Sequence, residues 1–344
     1  MVSRRQFLGT AGSLSALALL KAKWARAAGS DLVFTSWGGT TQEAQMNAWA
    51  KPLAEKSGIN VVQDGPTDYG KLKAMIDSGN VTWDVVDVEQ DYGVWAGAAG
   101  QLEPLDFSII KRDEIDPRFV TDYAVGSFFY AYVLGYNSQT YGDRKPATWA
   151  DLFDLKKFPG KRTFYKWSAP GNLEIPLLAD GVKPEELYPL DIDRALKKLD
   201  TIKQQIVWWS TGAQSQQLLA SGETPMGMMW NGRVAALLQD GAPVDMTWEQ
   251  NLTAADLLVV PKGTKNKEAA MRFLAYAVSP EGQAEMAKLS GYAPTNIHSA
   301  DLLDEKIRKT LPDQYKSQNV PMDINYWAQH RDEIAKRWYD WQVA

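Results

Sequence analysis

From residue 32 onward, short apolar runs alternate with amphipathic stretches, and this alternation predicts an α/β fold. Residues 32–36 (LVFTS) read as a buried strand ending in the turn Trp37-Gly38-Gly39-Thr40. Residues 41–56 read as a helix closed by Gly58, and 59–63 as a second strand. A second helix is predicted over 68–78, with Leu72, Met75 and Ile76 at helical spacing and Gly79 as its stop. Residues 83–88 are continuous and apolar enough for a strand buried on both faces. A β-α-β-α-β order predicts a parallel sheet with helices on both sides. In open sheets of this kind ligands sit beyond the carboxyl ends of the strands, which places Trp37 to Thr40 and Glu89 to Asp91 on one rim.

A second alternating block begins after the run 128–137 (FFYAYVLGYN), which is long and β-prone enough to cross between two lobes. Thr148 is placed to cap a helix start at 149–152. Residues 162–165, 206–209 and 225–230 read as strands, with helices over 193–203 and 214–221 between them. The β-prone segment 244–248 reads as the return crossing, and 257–260 (LLVV) as a further strand ending at Pro261. A helix then starts near Asn266, with Ala270, Met271, Leu274, Ala277 and Val278 on one apolar face. Two crossings predict two lobes joined by a strand hinge, each lobe a central sheet flanked by helices. The expected division is residues 29–131 plus 249–300 for the first lobe and 132–248 plus 301–344 for the second, with the last helices packed on the lobes.

The chain's first 28 residues have a different character. Ser3-Arg4-Arg5-Gln6-Phe7-Leu8 matches a twin-arginine export signal, followed by an apolar stretch from about Gly9 to Leu20. A basic segment with Lys21, Lys23 and Arg26 ends in Ala25-Arg26-Ala27, the small-x-small pattern that a signal peptidase cuts after. The apolar stretch is far shorter than the roughly 20 residues a bilayer span needs. A folded periplasmic protein starting near Ala28 is therefore expected.

Charge and composition then narrow the chemistry. The full chain has 37 basic and 42 acidic residues. The signal holds five basic residues (Arg4, Arg5, Lys21, Lys23, Arg26) and no acidic ones, so the mature chain has 32 against 42, a formal charge of −10. An acidic exported protein is not suited to nucleic acid or to an anionic membrane surface. With no cysteine and only His298 and His330, which lie apart among polar neighbours, disulfides, thiolate metal sites and cysteine nucleophiles are excluded. No glycine-rich phosphate loop, HExxH or GxSxG motif is present. The expectation is a binding protein without a catalytic site, metal or cofactor.

Several segments, in order along the chain, resemble one family. They are Trp37-Gly38, Tyr69-Gly70-Lys71-Leu72-Lys73, Trp83-Asp84-Val85-Val86 and Thr148-Trp149-Ala150-Asp151-Leu152, followed by Gly227-Met228-Met229-Trp230-Asn231-Gly232, Lys265-Asn266-Lys267-Glu268-Ala269-Ala270 and Gly291-Tyr292-Ala293-Pro294-Thr295-Asn296. The pattern is similar to the periplasmic spermidine/putrescine-binding proteins of ABC importers and spans residues 32–329. The resemblance implies a type II periplasmic-binding-protein fold whose lobes close on a small ligand, an ABC permease as partner, and a monomer. It also implies binding roles for Trp37, Trp230, Asp256 and Tyr292.

Three places depart from that family pattern. Ala254 replaces an aromatic residue, Glu89 and Asp91 follow the third strand, and Lys166-Trp167-Ser168-Ala169-Pro170-Gly171 replaces an acidic pair, with only Glu174 acidic nearby. Two readings of the ligand follow. Glu89 and Asp91 could take over recognition of a polyamine's ammonium groups, between aromatic faces that attract cations. Alternatively, Lys166 and Arg233 could hold a carboxylate, making the ligand an amino acid, an opine-like conjugate or an organic acid. Gly38, Thr40, Trp167, Ser168, Asn231 and, at the turn after strand 206–209, Gln214 complete the candidate site. A periplasmic enzyme and a sensory receptor are the rival classes.

Overall fold

The computed structural model describes residues 31–344. The export signal expected over residues 1–28 lies outside them.

Strand β1 (Leu32–Thr35) leads through the Trp37-Gly38-Gly39 turn into a helix at Gly39–Gln45, which continues through a π-type turn (Met46–Ala50) into Lys51–Ser57. Gly38 and Gly39 have φ of 75° and 62°, a left-handed pair that only glycine adopts freely. Strand β2 (Val61–Asp64), the helix Tyr69–Ser78 capped by Asp68, strand β3 (Val85–Glu89) and the helix Gln90–Ala98 follow. Strand β1 pairs parallel with both β2 and β3, as the β-α-β-α-β order predicted.

Strand β4 (Ala124–Asn137) is buried along its whole length. Beyond it come a helix at Trp149–Phe153 behind a Thr148–Asp151 capping box, β5 (Arg162–Tyr165), short helices at Glu174–Ala179 and Ile192–Asp200, and β6 (Ile206–Trp209). The helix Gly212–Ala220, β7 (Met226–Trp230) and the helix Asn231–Gln239 complete this block. Strand β8 (Val244–Val259) is one element, where the sequence suggested two separate runs. Its interior is irregular, which explains the split reading: Tyr132 pairs with Leu252 but Leu134 with Thr247, so residues 248–251 bulge out, with Gln250 at φ 53°.

All strands join one sheet in the order β2-β1-β3-β8-β4-β7-β5-β6, with β9 (Asn319–Val320) pairing on β8. The first part of β4 and the last part of β8 pair beside β3, while their other ends pair beside β7. These two strands therefore run through both halves of the molecule. The helices Lys267–Ala277 and Pro280–Ser290 pack on the first half, where Trp49, Phe34 and Phe273 form an aromatic core.

The C-terminal helix Ile324–Val343 clips the halves together. Trp327 donates to Glu174 (2.6 Å) and Trp338 to the carbonyl of Lys166 (2.8 Å) in the second half. Arg331 pairs with Asp91 in the first. No described helix is long and apolar enough to cross a membrane.

Candidate functional site

The turn after β1, the ends of β3 and β7, and the middles of β4 and β8 converge on a narrow cavity. Its lining is Trp37, Thr41, Glu89, Phe128, Tyr130, Tyr165, Trp230, Arg233, Asp256 and Tyr292. Of the residues singled out from sequence, Trp37, Glu89, Trp230, Arg233, Asp256 and Tyr292 meet here.

One wall carries acid. Glu89 and Asp256 are register partners across antiparallel β3 and β8, so their side chains leave the same face of the sheet. Asp256 lies well inside β8. Both residues are buried. Burial raises the Asp256 pKa well above the usual carboxylate range, and the negative charges of Asp87 and Glu89 raise it further, against hydrogen bonding from Trp37 and Tyr130. Burial also raises Glu89, opposed first by the charge of Arg331. Glu89 Oε2 accepts from the Tyr69 hydroxyl (3.1 Å), which in turn accepts the Glu89 N–H (3.0 Å). Glu89 Oε1 has no hydrogen-bond partner among the described residues.

Another wall carries a cation. Arg233 sits in the first turn of the helix Asn231–Gln239, an unfavourable place for positive charge near a helix N-terminus. Its guanidinium reaches across to the first half, Nη1 donating to Thr40 Oγ1 (2.6 Å) and Nη2 to Thr41 Oγ1 (2.7 Å). Arg233 is 4% exposed, and its Nε has no hydrogen-bond partner among the described residues. Among the described residues it forms no ion pair, so the guanidinium and the two carboxylates face one cavity without neutralising each other.

Aromatic rings fill the space between. Tyr292 stacks on Phe128 at 4.8 Å and lies 5.7 Å from Tyr130, while Trp230 meets Trp209 edge-on at 4.7 Å and Tyr165 at 5.4 Å. Burial raises the Tyr292 hydroxyl, opposed by the neighbouring Arg233 charge. Phe128, Tyr130, Tyr165 and Thr41 were not singled out from sequence. The first two lie two residues apart on one face of β4, a signal hidden because both faces of that strand are buried.

The other candidates are placed elsewhere. Gly38 lines a wide vestibule outside the cavity, with Gly39, Gln42, Asp64, Thr211 and Gly212; Trp37 and Arg233 border both spaces. Thr40 is exposed but holds Arg233. Asp91 is buried against Arg331, behind the cavity wall. Asn231 accepts from the Ala131 N–H (2.9 Å), pinning β4 to the following helix. Gln214 accepts from the Ser210 N–H (2.9 Å) and closes its own turn. Trp167 is exposed, Lys166 Nζ lies 5.2 Å over its ring, and the Ser168 N–H donates to Tyr339 (3.3 Å). Glu174 is consumed by Tyr188, Trp327 and the Gly171 N–H. The segment 166–171 therefore contributes nothing to the cavity.

A continuous sheet divided by two shared strands, with a small polar and aromatic cavity between its halves, defines a two-lobed solute-binding protein of type II. The family model for bacterial extracellular solute-binding proteins matches residues 48–315, and the chain belongs to that family. It is 34% identical over 350 residues to a gamma-aminobutyric acid-binding protein of Pseudomonas aeruginosa, covering 98% of both chains. It is 25% identical over 314 residues to spermidine/putrescine-binding periplasmic protein 1 of Haemophilus influenzae, covering 88% of this chain and 85% of that protein. The solved structure of a GABA receptor is 64% identical, with TM-score 0.86 and coverage of 91% of this chain and 98% of that one. A binding protein of A. tumefaciens R10 in complex with agropinic acid is 34% identical, with TM-score 0.86 and coverage of 92% and 99%. Proteins of this family bind small solutes for delivery to an ABC permease and are not enzymes.

Proposed function

We propose that this protein captures a short ω-amino acid, gamma-aminobutyric acid being the first choice, and presents it to an ABC permease. The carrying observation is the unpaired charge arrangement: a buried guanidinium and two buried carboxylates face the same narrow space. A zwitterion satisfies both walls at once, its carboxylate on Arg233 and its ammonium between Glu89, Asp256 and the aromatic rings. A polyamine would place a second ammonium toward Arg233, where like charges repel. The names of the relatives at 34% and 64% identity favour the same ligand class. Each charge-assisted hydrogen bond is worth about 1.5–3 kcal/mol and a desolvated cation over an aromatic ring about 2 kcal/mol.

Arg233 rises from the second half yet donates to Thr40 and Thr41 in the first. A ligand carboxylate on this guanidinium would thus favour the closed arrangement, shifting the population by its differential affinity for it. The twin-arginine route of export belongs to the same proposal.

The test is calorimetric titration of the mature protein with gamma-aminobutyric acid, putrescine and spermidine. Saturable binding of the amino acid, lost in Arg233→Ala and weakened in Asp256→Asn, is expected. Binding of the polyamines alone, unaffected by Arg233→Ala, would overturn the reading. A second reading has a specific support in the vestibule, about 1000 Å³ of open space beside Arg233. An opine-like conjugate would extend into it, and tighter binding of such a conjugate than of the free amino acid would favour that reading.

A further inference from the structure

The C-terminal helix Ile324–Val343 lies beyond the residues matched by the family model, yet one of its side chains reaches the supports of the cavity. Arg331 pairs with Asp91, whose side chain is 1% exposed. Its guanidinium carbon lies 5.0 Å from the centre of the Tyr69 ring and 5.2 Å from that of Tyr92. Those rings stack 3.8 Å apart and within 6° of parallel. Tyr69 then donates to Glu89, the carboxylate that lines the cavity. A continuous path of contacts therefore runs from Asp91 through Arg331 and Tyr69 to Glu89.

We propose that Arg331 is a positioning residue for solute capture: clamped by Asp91 against the Tyr69–Tyr92 stack, it fixes the Tyr69 hydroxyl on Glu89 and so holds that carboxylate where it meets the solute. This rests on the reading above that Glu89 meets the solute's ammonium group. The groups around Glu89 are Asp87 on its own strand, Tyr69 on the helix Tyr69–Ser78, Asp91 and Tyr92 on the helix Gln90–Ala98, Tyr130 and Tyr132 on β4, Tyr165 on β5, Asp256 on β8 and Arg331 on the C-terminal helix. Those neighbours are acids and phenols, apart from Arg331. Burial drives Glu89 toward its neutral form, and the positive charge of Arg331, followed by hydrogen bonding from Tyr69, opposes it. Arg233 shares the cavity but forms no ion pair with Glu89. The tyrosine stack explains how the charge acts without contact: a guanidinium over aromatic faces is held in place and remains weakly hydrated.

The direct readout needs no ligand. The Glu89 carboxyl is titrated by ¹³C NMR in the mature wild type, Arg331→Met and Arg331→Lys, with Glu89→Gln assigning the resonance. The expected result is a titration moved to higher pH in Arg331→Met and largely restored in Arg331→Lys. Calorimetry with gamma-aminobutyric acid across pH 5.5 to 8.5 is the second arm. Loss of the charge should weaken binding roughly tenfold or more, the scale of one charge-assisted hydrogen bond, with the deficit growing as pH falls because Glu89 protonates earlier. A variant that melts lower but keeps the wild-type Glu89 titration and pH profile would show a structural role only and overturn the proposal. Should Arg331→Met fail to fold, Arg331→Gln keeps a polar partner for Asp91 while removing the positive charge, and must move the titration in the same direction. A wild type that does not bind gamma-aminobutyric acid sinks the ligand reading, while the NMR arm still decides the role of Arg331.

Discussion

The sharpest test of the cavity's charge arrangement is a single methyl group. Gly212 opens the helix Gly212–Ala220, and a Cβ built on it would lie 2.2 Å from Arg233 Nε, 2.5 Å from Cζ and 2.7 Å from Nη2. Ordinary contact between such atoms begins near 3.5 Å, so Gly212→Ala must push the guanidinium back by roughly 1 Å. A displacement of that size disturbs the Thr40 and Thr41 contacts, now 2.6 and 2.7 Å. It also moves the positive charge from the place where a carboxylate would meet it. Loss of one buried, hydrogen-bonded charge contact costs about 2–4 kcal/mol, or roughly 30- to 1000-fold in affinity. The backbone itself is not strained, because Gly212 is not in the left-handed region, and alanine is the better helix former by up to about 1 kcal/mol. Calorimetry with gamma-aminobutyric acid and a thermal melt are run on the same sample. The expected outcome is severely weakened binding with a melting temperature within a few degrees of wild type. An affinity within threefold of wild type would refute the reasoning, since the solute would then be indifferent to where the guanidinium stands.

Two further predictions concern buried acids outside the cavity lining. Asp87 is fully buried, and its Oδ2 accepts from Gln45, Ser36 and Ser127, yet burial still pushes its carboxyl up to about 7. A raised carboxyl means the folded state holds more protons than the unfolded one, so stability falls as pH rises from about 4, the unfolded value, through about 7. Asp87→Asn should therefore flatten the loss of melting temperature between pH 5.5 and 8.5 and raise it at pH 8.5 by at least about 2 °C; an unchanged slope would count against the assignment. Glu174, fully buried, accepts from the Gly171 N–H, Tyr188 and Trp327, so Glu174→Ala leaves three donors without a partner and should lose about 3 kcal/mol in urea unfolding. A loss below 1 kcal/mol would mean that water replaces the carboxylate freely.

The alternation of apolar runs and turns was enough to place most strands within a residue or two, because each is short, apolar and followed by a turn. Residues 162–165 and 206–209 were placed as they are found. The two crossings were also visible, since only a strand shared by both halves needs so long a β-prone run. The cavity was partly legible for a related reason: Trp37, Glu89, Trp230 and Arg233 lie at or just beyond strand ends, where a parallel sheet presents its ligands. Tyr130 sits inside a crossing strand instead, where burial on both faces erases the period that would mark a functional side, and Asp256, in the other crossing strand, was marked by the family resemblance alone. The segment 166–171 looked promising because it is basic and aromatic, but the C-terminal helix covers its neighbours through Trp338 and Tyr339. Contacts such as Arg331 with Asp91, 240 residues apart, leave no local pattern in the chain.

The position of β8 has a consequence for how the chain comes to be folded. It is the eighth strand made, yet it lies between β3 and β4, so neither of those strands has its full set of neighbours until residue 259 is available. A nascent chain that ends before Val244 carries two open sheet edges, those of β3 and of the first part of β4, both lined by buried apolar side chains. The first half thus has no independent folded existence during synthesis, although it begins first. Its completion and that of the second half are one event, set by the arrival of the same sixteen residues. A fragment covering 31–240 should accordingly aggregate rather than yield a smaller soluble domain, whereas adding residues 241–344 in trans gives the missing strand a place to insert.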